Sequence, residues 1–130
     1  MTDCEQREQN WVQHRFDCSI DSIYSALVQV IQDDVDKFNK LTADKKNGTQ
    51  SFCCKKQNGA LVIERPNEGD FVCVRKERDR IFVEQNESTI YELRKQWDCD
   101  KVDCRLMIGE QSYSIYQLSQ RALIKLLFKD

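Results

Sequence analysis

Glycine and proline are scarce: four Gly and one Pro in 130 residues, against a typical combined share of ~12%. That scarcity excludes a collagen-like repeat, a Pro/Gly-rich disordered chain and a flexible linker between modules. Long apolar runs are missing too. The longest strongly apolar stretch free of Lys, Arg, Asp and Glu runs from Ser22 to Gln32, well short of the ~18 residues of a membrane-spanning helix. The first sixteen residues carry Asp3, Glu5 and Glu8, where an export signal needs a basic start and an unbroken apolar core.

Histidine is represented by His14 alone, so nucleophilic catalysis with an imidazole base has one candidate, and a lone His in a short segment reads as a surface residue. Neither a phosphate-loop glycine pattern nor a dinucleotide fingerprint occurs, since Gly59, Gly69 and Gly109 stand isolated. Positive charge is not concentrated. Residues 1–44 hold four Lys/Arg and nine Asp/Glu, residues 45–97 eleven and eight, and residues 98–130 five and five, which returns the net charge of -2. Basic residues are interleaved with acids, as in Arg75-Lys76-Glu77-Arg78-Asp79-Arg80, so neither nucleic acid nor a membrane surface is an expected partner.

Cysteine is what the chain has in plenty: Cys4, Cys18, Cys53, Cys54, Cys73, Cys99 and Cys104. Seven is odd, so a fully paired framework is impossible in one chain, and the expectation is reduced thiols in a cytoplasmic protein. Zinc sites want paired ligands two to four residues apart. The closest approach is the single pair Cys99-x4-Cys104, and the other candidate pair, His14-x3-Cys18, is far away in sequence, so no metal and no cofactor are expected. Cys53 and Cys54 are adjacent and on a strand would point to opposite faces, which leaves an oxidation-sensor role for the pair open. Asp33, Asp34 and Asp36 read as the solvated side of a helix.

That helix is the clearest element. Ile20, Tyr24, Leu27, Ile31, Val35 and Phe38 recur at spacings of three and four, which predicts a long amphipathic helix from about Ser19 to Leu41. Ser19 is its expected N-cap, and Asp44-Lys45-Lys46-Asn47-Gly48 its stop. Ahead of it, alternation over Trp11–Asp17 predicts a short leading strand, and residues 1–10 are expected to fray.

After residue 50 the period changes to two. Strands are expected over Ser51–Lys56 and Ala60–Arg65 about an Asn58-Gly59 turn, then, past a turn at Pro66–Asp70, over Phe71–Lys76, Arg80–Gln85, Thr89–Trp97 and Val102–Ile108. Thr89–Trp97 also fits a helical face, with strand preferred. A last helix over Ile115–Phe128 begins at a Ser114/Gln117 capping box. The connections are too short for parallel crossovers. The expected fold is therefore a single α+β domain over residues 1–130, with a long N-terminal amphipathic helix, an antiparallel meander sheet of about five to seven strands, and a C-terminal helix packed on the sheet. Leu61, Ile63, Ile81 and Val83 should lie beneath the helices. Phe71–Val74, apolar at every position, should be a central strand covered on both faces or met by a partner on the second.

Few catalytic side chains and full apolar strands point to a protein-interaction or structural module, a homodimer or an adaptor, rather than an enzyme. The contact surface expected is an apolar patch of Val72, Phe82 and Trp97, whose other reading is a second minor core under the last helix. The alternative function is a pocket between the long helix and the sheet, binding a small ligand or supporting carboxylate chemistry.

Overall fold

The computed structural model describes residues 3–43, 51–66 and 68–128. Two short helices, α1 (Asp3–Gln9) and α2 (Trp11–Asp17), lead into α3 (Ile20–Thr42). Seven strands follow, β1 (Cys53–Gln57), β2 (Ala60–Glu64), β3 (Phe71–Glu77), β4 (Arg80–Gln85), β5 (Ser88–Asp98), β6 (Asp103–Ile108) and β7 (Gln111–Tyr113), and α4 (Ile115–Leu127) ends the fold. The strands pair in sequence order as one open antiparallel meander. This is the expected α+β class.

Local chemistry accounts for most boundaries. Ser19 caps α3 by accepting from the Ser22 amide at 3.2 Å, and Asp21 occupies its first turn. Ser114 and Gln117 form the capping box of α4 in both directions. Asn58 and Gly59 both adopt positive φ, the backbone that a two-residue hairpin matching strand twist requires. Thr89–Trp97 lies within a strand, and β5 carries a one-residue register shift against β4 near Val83 and Glu84. Asp44–Gly48, the expected stop of α3, lies outside the described residues, as does Asn67 of the Pro66–Asp70 turn.

Two local expectations change. Trp11–Asp17 is a helix, not a strand: seven residues fit either period, the His14 amide donates to the Asn10 carbonyl and the Cys18 amide to the His14 carbonyl, closing helical turns, and the Gln13 side chain donates to Asp17 one turn on. Upstream of it, in the segment expected to fray, Asp3–Gln9 is helical. β7, only three residues long, is too short to show alternation.

Helices α3 and α4 cover one face of the sheet. Leu27 and Ile31 of α3 and Leu118, Ala122 and Leu126 of α4 meet Leu61, Ile63, Val72, Val74, Ile81, Val83 and Leu93 in one core. Tyr24 ties α3 down by donating to the Val74 carbonyl at 3.0 Å. Asn39 does so at the other end, donating to the Phe52 carbonyl at 2.9 Å and accepting from its amide at 3.1 Å, as a neighbouring strand would. β3 is internal and alternates between fully buried Val72 and Val74 and half-buried Phe71 and Cys73.

A second clamp is covalent. Cys18, between α2 and α3, is disulfide-bonded to Cys104 on β6, with Cα atoms 5.5 Å apart and 86 residues of separation. This corrects the expectation of reduced cysteines. An odd count forbids complete pairing, but it does not forbid one bridge where the fold brings two thiols within reach. Cys53, Cys54, Cys73 and Cys99 are free. Cys53 and Cys54 face opposite sides of β1: Cys54 packs against the core, and burial with the nearby Asp36 pushes its thiol up to about 11.

Candidate functional site

The expected patch does not assemble. In the β3–β4 register Val72 stands opposite Gln85 and Val74 opposite Val83, so Val72 shares its face with Val83 and lies in the core at 0% exposure. Phe82, one residue out of phase with Val83, projects from the other face. Trp97 follows Tyr91 and Leu93 at even spacing and so returns to the helix-bearing face, where the Arg15 guanidinium of α2 sits 5.7 Å from its ring. The reason is register: strand composition gives each residue's parity within its strand, whereas the pairing sets which parities share a face across strands.

Nor is the uncovered sheet face bare. Arg75 lies 4.4 Å from the Phe82 ring and pairs with Glu84 at 2.7 Å as well as with Glu77. Its pKa is raised, first by the Glu84 hydrogen bond and then by that of Glu77. Lys55–Glu64 at 2.7 Å and Arg80–Glu92 at 2.9 Å continue this cross-strand lattice. Charged side chains lie over the outward apolar groups, the arrangement of a sheet face that meets water.

Unsatisfied apolar surface lies on the helical layer instead. Where the C-terminal half of α3 runs beside α4, a groove of about 290 Å³ opens between them. Phe38, Leu123 and Leu127 line its depth, and Leu41, Ile124 and Phe128 form an exposed rim. Phe38 holds this end together, meeting Phe52 edge-on at 5.8 Å and Phe128 at 5.2 Å. Asp34 lines the other end, where the fully buried Ser119 hydroxyl donates to its carboxylate at 2.6 Å. Of the expected acidic face, Asp33 accepts from Gln29 at 2.9 Å. Lys37 also lines the groove, and Lys40 stands one turn outward; neither makes an ion pair among the described residues.

No protein family, curated protein or solved structure matches this chain.

A second cavity, about 340 Å³, lies between α3 and the β1–β2 hairpin, lined by Tyr24, Val28, Gln32, Lys56 and Leu61 among others. This is where the ligand-pocket alternative puts its site. Among the described residues no carboxylate lines it, and the Tyr24 hydroxyl is already committed to the Val74 and Gly59 carbonyls. Acid–base chemistry by a carboxylate pair has no components there. His14 sits on α2, half-exposed. Among the described residues no three His, Cys, Asp or Glu side chains come together as a metal site.

The groove was illegible from sequence because the residues forming it read equally as ordinary helix faces. One signal was present: Ile124 and Phe128 extend the apolar stripe of the last helix beyond the width that one sheet face can bury.

Proposed function

We propose that this chain is a protein-interaction module that receives the apolar face of an amphipathic helix, acidic along its flank, in the groove between α3 and α4. The observation carrying this reading is the groove's make-up: an apolar depth of Phe38, Leu123 and Leu127, an exposed rim of Ile124 and Phe128, and Lys37 without an ion-pair partner among the described residues. Helix-in-groove recognition uses such a site, with anchors at i, i+4 and i+7 entering the trough and charges meeting at its edge. A volume of about 290 Å³ lies at the lower limit of small-ligand pockets, which favours a few inserted side chains over a whole cofactor. Self-association belongs to the same reading, with a second copy as the partner.

The working compartment follows the cysteines. A cytoplasmic placement rested on reduced thiols; the Cys18–Cys104 bond favours an oxidising compartment, where such bonds persist.

The test is fluorescence anisotropy with a labelled synthetic helix bearing Leu and Phe at i, i+4 and i+7 and Glu along its flanks. The wild type binds it. Ile124→Glu, which sets a carboxylate on the rim against the peptide's acidic flank, weakens binding by at least about tenfold, because like charges brought together across an interface repel. Equal binding by both proteins, or none by the wild type while it is monomeric, overturns the reading.

A further inference from the structure

Helix α2 presents a second apolar surface that none of the described residues covers. It has no buried residue, and Trp11, Val12 and Phe16 are 54%, 62% and 74% exposed. Val12 and Phe16 are one turn apart and Trp11 lies beside them, so all three fall within one ~140° arc of the helix. The same arm is acidic: by sequence, residues 1–18 carry Asp3, Glu5, Glu8 and Asp17 against Arg7 and Arg15, and Arg15 is engaged over Trp97. An exposed aromatic and aliphatic helix face with acidic neighbours is the chemistry that the α3/α4 groove takes.

The two surfaces sit at opposite ends of α3. The arm joins α3 at Ser19, and the groove is built on α3 from Asp34 to Leu41. From Ile20 to Lys37 the helix rises roughly 25 Å at ~1.5 Å per residue. A two-fold axis across the middle of α3 would interchange those ends, bringing each copy's arm to its partner's groove. One symmetry operation then makes two identical contacts and closes the assembly. The Cys18–Cys104 bond fixes the corner from which the arm projects, so less freedom is lost when the arm docks.

We infer that the occupant of the groove is helix α2 of a second copy, in a two-fold dimer where Trp11, Val12 and Phe16 of each chain enter the α3/α4 groove of the other. The inference rests on the groove-binding reading above and supplies its partner. The dimer would bury both apolar surfaces of each chain at once, with Lys37 and Lys40 facing the arm's acids.

Sedimentation velocity on the full chain tests it, with two variants at exposed positions. Wild type sediments as a dimer at tens of micromolar. Phe16→Glu removes the arm's anchor and Ile124→Glu blocks the groove, so each alone sediments as a monomer while keeping the wild-type circular dichroism spectrum. Mixed in equal amounts, the two variants form a heterodimer, because the arm of one and the groove of the other are intact; with one contact instead of two, it is at least about tenfold weaker than wild type. Phe82→Ala, on the opposite sheet face, stays dimeric. A monomeric wild type overturns the inference, as does a mixture that remains monomeric. If the wild type is monomeric yet binds the synthetic acidic helix, the second-copy partner is wrong and the groove reading stands; if it does neither, both fall.

Discussion

Phe38 meets Phe128 edge-on, with ring centroids 5.2 Å apart and planes at 83°, and this contact makes the end wall of the groove between α3 and α4. Phe128 is the C-cap residue of α4, so the wall rests on one aromatic pair rather than on continued helix. Phe128→Ala should cost about 0.5–1.5 kcal/mol of stability, the range of an aromatic pair, read by urea denaturation. The same variant should bind the acidic helical peptide more weakly, because the groove loses one side. An unchanged affinity would place the peptide elsewhere.

Leu27 is fully buried beneath α3, whereas Asp33 is exposed and touches Gln29. Leu27→Ala should therefore cost about 2–5 kcal/mol, and Asp33→Ala less than about 0.5 kcal/mol. Denaturant midpoints for the pair check which face of α3 meets the sheet.

The Cys18–Cys104 bond closes a loop of 86 residues in sequence, and removing such a link typically costs about 2–5 kcal/mol. Cys18→Ser/Cys104→Ser should melt lower than the wild type by an amount in that range. Denatured without reductant, the wild type should titrate two thiols short of its seven cysteines. Seven free thiols would show that the bond does not form. Loss of the bond should also weaken dimerisation, since the arm's corner is released.

Tyr91 is buried on β5 and donates to the Leu118 carbonyl of α4 at 2.9 Å. Burial raises its pKa above the ordinary 10.0, with Arg121 acting weakly the other way. The native state thus holds this proton more tightly than the unfolded chain. Its stabilisation is complete below pH 10.0 and is lost as pH climbs beyond that towards the folded value. Melting temperature should fall above that pH in the wild type, and Tyr91→Phe, although less stable at neutral pH, should fall less steeply. Parallel slopes would assign the alkaline loss to other groups.

The fold was largely legible because its signals are local. The three-and-four spacing from Ile20 to Phe38, the Ser19 cap, the Asn58-Gly59 turn and the Ser114/Gln117 box each act within a few residues. What failed depends on long-range placement. Val72 and Phe82 were grouped by apolar character, but the β3–β4 register puts them on opposite faces. Cys18 and Cys104 meet through the route of the chain, which no local spacing reports. The groove likewise exists through the packing of α3 against α4, two helices 72 residues apart in sequence between Thr42 and Ser114.

The most direct test of the groove as the working surface is methyl NMR of the monomeric Phe16→Glu variant, whose groove is intact and not filled by a partner's arm, titrated with the acidic amphipathic peptide. Ile124, Leu123 and Leu127 line the groove, whereas Val62 and Met107 lie on the opposite sheet face. The account predicts that the Ile124, Leu123 and Leu127 methyls shift in proportion to bound peptide while those of Val62 and Met107 stay in place. Shifts confined to Val62 and Met107, with silent groove methyls, would contradict it.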